Sequence, residues 1–145
     1  MDISTLKKDS SAIAAGQWVG DIPGLGEVRL YVRGLSSAAA VSLRQRKERA
    51  VPNDQRERDG SLKPDAAVRL TTEVLHEAIL LGWEGLTSGG KPLAYDSETA
   101  RKYLTDPDFE AFADAVVWAS RVVDRGTAAT KEALEKNSVT PSSGA

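Results

Sequence analysis

Hydrophobic and polar positions change period along this chain. Val28, Leu30 and Val32 alternate with Glu27, Arg29, Tyr31 and Arg33. A period of two marks a strand with one buried face. Gln17-Trp18-Val19 lies just upstream, across Asp21-Ile22-Pro23-Gly24-Leu25-Gly26, a stretch dense in turn formers. The two runs predict a β-hairpin, closed by Gly34. Ser36 or Ser37 can then cap a helix through Ala38-Ala39-Ala40-Val41 and Leu43 towards Arg49.

Residues 51–64 carry no apolar period and have prolines near both ends, so they read as a polar linker, mobile or ordered only against a partner. Asp65 can cap a helix over 65–82, whose Ala67, Val68, Val74, Leu75, Ala78, Ile79 and Leu81 share one broad face. Gly82-Trp83-Glu84-Gly85 stops it. A turn at Ser88-Gly89-Gly90-Lys91-Pro92 leads to the short run Leu93-Ala94-Tyr95. Asp96, Ser97 and Glu98 then open a short helix ending near Leu104.

Asp106-Pro107-Asp108 combines a carboxylate cap, proline at the first helical position and acids in the first turn. The helix it opens carries two apolar stripes. One is Phe109, Phe112, Ala113, Val116, Val117, Ser120 and Val123; the other is Ala111, Ala115, Trp118, Ala119 and Val122. Gly126 bends or ends this helix, and residues 127–136 can continue it. The expected fold is α+β and mostly α, one helical domain with a small N-terminal β-hairpin and a long C-terminal helix. An N-terminal arm at 1–16 precedes the domain at 17–137, and a disordered tail occupies 138–145.

Composition narrows the chemistry. The chain has 145 residues, 19 Lys and Arg against 21 Asp and Glu, one His and no Cys. The length fits one domain. Without Cys there is no thiol nucleophile, disulfide framework or Cys-ligated metal, and one His cannot build a two-histidine site. Residues 1–72 are net +3 and residues 73–145 net −5, a mild polarity that is no footprint for nucleic acid. No window approaches the roughly 18 apolar residues of a membrane span. The segment after Lys8 is too short and polar for a signal h-region, which leaves the cytoplasm as the expected compartment.

The motifs that resemble catalytic signatures break down on inspection. His76-Glu77 opens like H-E-x-x-H, but position 80 is Leu, and His76 is expected on a solvated face beside Glu73 and Glu77. Gly85 to Lys91 fits G-x-x-x-x-G-K, yet Pro92 replaces the Ser or Thr that would hold Mg²⁺, so a tight turn is expected. Asp106, Asp108 and Glu110 are explained by capping. The basic residues Arg44, Arg46, Lys47, Arg49, Arg56 and Arg58 are interleaved with Glu48, Asp54, Glu57 and Asp59 and include no aromatic to stack a base. They read as a solvated helix end and a charged linker, or as a surface for an acidic protein. No catalytic, cofactor or metal site emerges.

The order of the local motifs is more telling. Val32-Arg33-Gly34-Leu35-Ser36 ends the hairpin. Leu80 to Leu86 reads L-L-G-W-E-G-L, Gly89 to Tyr95 reads G-G-K-P-L-A-Y, and Leu104 to Phe109 reads L-T-D-P-D-F. Over roughly residues 17–137 this resembles the tail assembly chaperones of long-tailed bacteriophages, in which a W-(D/E), a G-K-P turn, a Y-(S/T/D) cap and a D-P helix start follow in this order.

The resemblance implies a non-enzymatic protein that coats the tape measure protein, self-associates as a homo-oligomer, and leaves before the virion is complete. It further implies recruitment of the tail tube protein, through an extension that many members acquire by ribosomal frameshift. It implies no nucleic acid, membrane or cofactor. The family carries no fixed binding residues, so the contact candidates are chosen on physical grounds. They are Trp118 and Val122 on the second stripe, Leu43 with Arg44 and Arg46 beside the linker, and Trp83 at a helix end. Two alternatives stand beside this reading. One is a head–tail or tail-completion adaptor retained in the virion; the other is a small enzyme joining His76 to carboxylates.

Overall fold

The alternating run builds the centre of the molecule. The computed structural model describes residues 1–126. In it, β1 (Gln17–Val19) and β2 (Arg29–Val32) form the expected antiparallel hairpin, with Trp18 opposite Tyr31 and Val19 opposite Leu30. Leu30 and Val32 point inward and are fully buried, whereas Arg29 and Tyr31 are half-buried on the outer face. That is the pleat expressed as burial.

A third strand was not expected. The predicted helix over 65–82 stops early. α3 (Pro64–Val74) passes into a single π-helical turn, Leu75–Ile79, and the chain then extends as β3 (Leu80–Glu84). β3 pairs antiparallel with the far side of β2, so the sheet runs β1–β2–β3. The apolar run from Val74 to Leu81 is compatible with either state, because a buried strand and a buried helical turn are both continuous hydrophobic stretches. A register shift between Tyr31 and Val32 leaves Leu81 as the extra residue of a bulge.

The helices pack around this sheet. α1 (Ser10–Ala15) places Ala12 and Ile13 in the interior, so the second half of the N-terminal arm belongs to the core. α2 (Ala38–Ala50) is capped by Ser37, whose Oγ accepts from the Ala40 amide at 3.3 Å. α4 (Ser97–Thr105) is capped by Asp96 at 3.1 Å from the Thr99 amide. Asp106 accepts from the Asp108 amide at 2.9 Å, and the helix start at Asp106-Pro107 is a 3₁₀ turn, Pro107–Phe109, that runs into α5 (Glu110–Arg125).

α5 lies against β1 and β2. Its two predicted stripes resolve into one buried face of Ala115, Val116, Ala119, Ser120 and Val123, flanked by half-buried Phe112, Val117, Trp118 and Val122. The helix ends at Arg125, and the Gly126 carbonyl accepts from the Asp9 amide at 3.4 Å. The continuation predicted for 127–136 and the tail at 138–145 lie outside the described residues.

The segment read as a linker closes on itself around Arg56. That guanidinium donates to the carbonyls of Val51 at 3.2 Å, Gly60 at 2.9 Å and Glu48. Arg56 also bridges to Leu62, and the Lys63 amide donates to the Gln55 carbonyl at 2.9 Å. A hydrophilic stretch thus satisfies its backbone partly through its own turns and partly through one long side chain, a partner that apolar periodicity does not register.

Gly85 to Lys91 forms the expected tight turn. β4 (Thr87–Ser88) pairs with β5 (Lys91–Pro92) across Gly89 and Gly90, which both have positive φ, 58° and 80°. Two successive positive φ values define a turn that glycine accepts without strain.

Candidate functional site

The residues singled out from the sequence fall into three environments. Trp83 sits inside β3 rather than at a helix end and is 5% exposed. Its Nε1 donates to the Leu93 carbonyl at 2.8 Å, and its ring meets Tyr95 and Phe112 edge-on at 5.0 and 5.9 Å. The indole is committed to the interior, which corrects its placement as a surface residue. Burial also pushes the Tyr95 phenol up, with a smaller contribution from Asp96.

Trp118 and Val122 are half-buried at the margin of α5, packed against the core. Leu43, Arg44 and Arg46 lie together on α2, with both arginines exposed and Leu43 half-buried. This last group borders an open groove. Ala38, Ala39, Ser42, Leu43 and Arg46 of α2 form one wall, and Glu77 and Ala78 of the π turn form the other. The groove holds about 570 Å³. Its lining mixes small and apolar side chains with the polar Ser42, Arg46 and Glu77. A second groove of about 240 Å³ continues past Lys47 between α2 and α3, over Ala50, Val51, Ala66 and Leu70.

An ion cluster marks the junction of the two grooves. Lys47 Nζ lies 2.7 Å from Glu77 and 3.0 Å from Glu73. Hydrogen bonds that Lys47 donates to Glu77 and then to Glu73 hold its ammonium above the ordinary value, outweighing the opposing effect of burial. The cluster fixes the spacing of α2 from the π turn, and hence the groove's width. No sequence rule pairs residues 26 and 30 positions apart, so this cluster was invisible until the fold placed them.

His76 is not simply solvated. It is half-buried, and its Nε2 donates to the Ser97 carbonyl at 3.0 Å with Ser97 Oγ at 3.2 Å, which ties the π turn to the start of α4. Glu73 and Glu77 point the other way, to Lys47. Among the described residues no group of three or more His, Asp or Glu side chains is placed to hold a metal ion. No helix among them is long and apolar enough to cross a membrane.

The segment Val32 to Ser37 emerges as the structural hub. Arg33 donates from Nε to the Ala14 carbonyl at 3.0 Å and from Nη1 to the Ala78 carbonyl at 3.1 Å, while its own carbonyl accepts from Ser120 Oγ at 2.7 Å. Asp124 at the end of α5 accepts from the Ser36 amide at 3.1 Å and from Ser36 Oγ at 2.6 Å. Gly34 passes so close to Asp124 and Ile13 that a Cβ would overlap both. The hub thus orients α2, and α2 carries the groove.

A family model now gives this hub a boundary. The model of the YdaY prophage protein matches residues 35–137, from the residue before Ser36 through α5 and beyond. The chain belongs to the YdaY prophage protein family. No curated protein and no solved structure matches it. The matched span contains α2, the π turn and α3, and therefore both walls of the groove, while β1 and β2 lie before it.

Proposed function

We propose that this prophage protein is a tail assembly chaperone, which holds the tape measure protein in soluble form and helps recruit tail tube subunits. One observation carries the reading: within the span matched by a prophage family, α2 and the π turn leave open a groove in which Ala38, Ala39, Leu43 and Ala78 lie beside the polar Ser42, Arg46 and Glu77. A groove of small residues admits an amphipathic helix, whose large apolar side chains enter while its polar face stays in water. Arg44 and Arg46 beside it suit the acidic positions of such a helix.

The role needs contacts repeated along a long client, and these need not be individually tight. Several copies of the chaperone engage one chain, and avidity supplies retention while each contact stays reversible. Trp118 and Val122, half-buried at the edge of α5, are the candidate surface for contacts between copies. No chemical step is assigned, and the proposed place of action is the host cytoplasm, with release before the virion is complete.

Co-expression with the tape measure protein of the same prophage tests the proposal. The expected result is a soluble complex that co-purifies with this chain. Leu43→Asp places a charge on the groove floor and is expected to abolish the complex. Because Leu43 is only half-buried, its stability cost stays near about 1 kcal/mol. A tape measure protein that stays insoluble with the wild-type chain overturns the proposal. Recovery of this chain in purified virions, measured by mass spectrometry, favours the adaptor instead.

A further inference from the structure

The two grooves on α2 follow one another as a single valley. α2 supplies one wall in chain order, with Ala39, Leu43 and Arg46 in the first groove and Lys47, Ala50 and Val51 in the second. The opposite wall runs the other way, from Ala78 and Glu77 of the π turn back to Glu73, Leu70 and Ala66 of α3. A ridge interrupts the valley where Lys47 Nζ meets Glu77 at 2.7 Å and Glu73 at 3.0 Å. Whatever lies along the valley must cross that ridge.

Spacing and charge together say what fits. Leu43 borders the first groove and Ala50 the second, about 10 Å apart along the helix axis. A step of seven residues returns to within about 20° of the same helix face, so a second helix laid in the valley drops one side chain into each groove. Arg46 lines the first groove and Arg49 stands one turn further along α2. Both are exposed, and neither has an ion pair among the described residues. The ridge has the opposite character, with two carboxylates around one ammonium. A third carboxylate would be repelled there, whereas a neutral amide oxygen accepts the N–H that Lys47 has left over from its two glutamates.

We infer that the valley takes one amphipathic helix across both grooves, with large apolar side chains at i and i+7. A neutral amide side chain lies between them over Lys47, and acidic residues line the flank beside Arg46 and Arg49. The inference rests on the proposed use of the α2 groove as a helix-binding site and adds the register and charge of the helix bound there. The apolar pair supplies contact area, and the ion pairs fix which flank faces α2.

Alanine-based helical peptides of about 18 residues test it by fluorescence anisotropy against the full chain. The probe has leucine at i and i+7, glutamine at i+4 and glutamates along one flank. A second peptide carries the glutamates along the other flank, because each suits one direction of the helix. The tighter binder is expected to lose roughly tenfold or more in affinity when its second leucine moves to i+5, about 140° off the face. Ala50→Asp in the protein is expected to weaken binding by roughly the same factor. So is Arg46→Glu combined with Arg49→Glu, and a lysine-flanked peptide is expected to recover binding to that variant. All three residues are exposed, so these changes leave the core intact. Equal affinity for the i+5 peptide, an unaffected Ala50→Asp variant, no recovery by the lysine-flanked peptide, or no binding of any peptide overturns the inference. A tape measure protein kept soluble equally by wild type and Ala50→Asp also overturns it, while leaving the chaperone reading in place. A tape measure protein that stays insoluble with wild type ends the chaperone reading, and the peptide affinities still decide the register.

Discussion

Two helices of similar length are held in this protein by different forces. α5 buries Ala115, Val116, Ala119, Ser120 and Val123 against the sheet, while α2, with 13 residues, buries only Ala40. Packing therefore holds α5. What holds α2 is a set of discrete polar anchors: the Ser37 cap, the Asp124–Ser36 hydrogen bonds and the Lys47 ion cluster. A helix anchored by its ends and one edge leaves most of its remaining surface open to solvent. The groove lies on the helix that the core uses least.

This contrast can be broken first at its packed side. Leu30 is fully buried beneath α5, and Leu30→Ala is expected to cost about 2–5 kcal/mol, read from denaturant midpoints. A loss under about 1 kcal/mol would mean that the sheet–α5 core is not what supports the fold. Gly34→Ala comes next. Its Cβ must displace the Asp124 carboxylate and Ile13, at an expected cost of about 1–3 kcal/mol. Asp124→Gly introduced with it should recover part of that loss, since the overlap is relieved; thermal melts of both variants measure the recovery.

Smaller effects sharpen the polar side. Ser37→Ala removes the cap of α2 and is expected to cost about 1 kcal/mol, with the loss of amide protection concentrated in α2's first turn. The Lys47 cluster predicts the smallest change, and its direction follows from titration. Hydrogen bonds raise the Lys47 ammonium above its ordinary 10.5, so its stabilisation is complete below that pH and is lost as pH rises through the higher folded value. Raised Tyr95 acts in the same direction from 10.0 upward. An alkaline melt series should show wild type losing its advantage over Lys47→Met above about pH 10.5. A constant difference across that range would detach the cluster from α2's stability.

The elements legible in the sequence were those whose signals are local. Alternation at Val28–Val32 and the Ser37, Asp96 and Asp106 caps each depend on neighbours within a few residues. β3 was missed because Leu80-Leu81 continues a helical apolar face without interruption. The π turn hides the change of state inside that run. The candidate site was half visible: Leu43 and Arg46 could be named, but their opposite wall, Glu77 and Ala78, comes from another element. Trp83 was misplaced for the same reason as β3. Tertiary neighbours such as Leu93 and Phe112 decided its burial, and spacing along the chain does not encode them.

Arg33 has a consequence for the order of events during synthesis. Three of its hydrogen bonds reach 19, 45 and 87 residues along the chain, to Ala14, Ala78 and Ser120. A nascent chain can form the first two while α5 is still within the ribosome, but the third waits for the last described helix. Long-range closures of this kind slow folding, because loop entropy is lost before the contact forms. The sheet therefore stays without its α5 cover until residues 110–125 have left the ribosome. The groove on α2, whose orientation depends on Asp124, is completed at the same late step. Both walls of the groove are thus fixed only after α5 has docked.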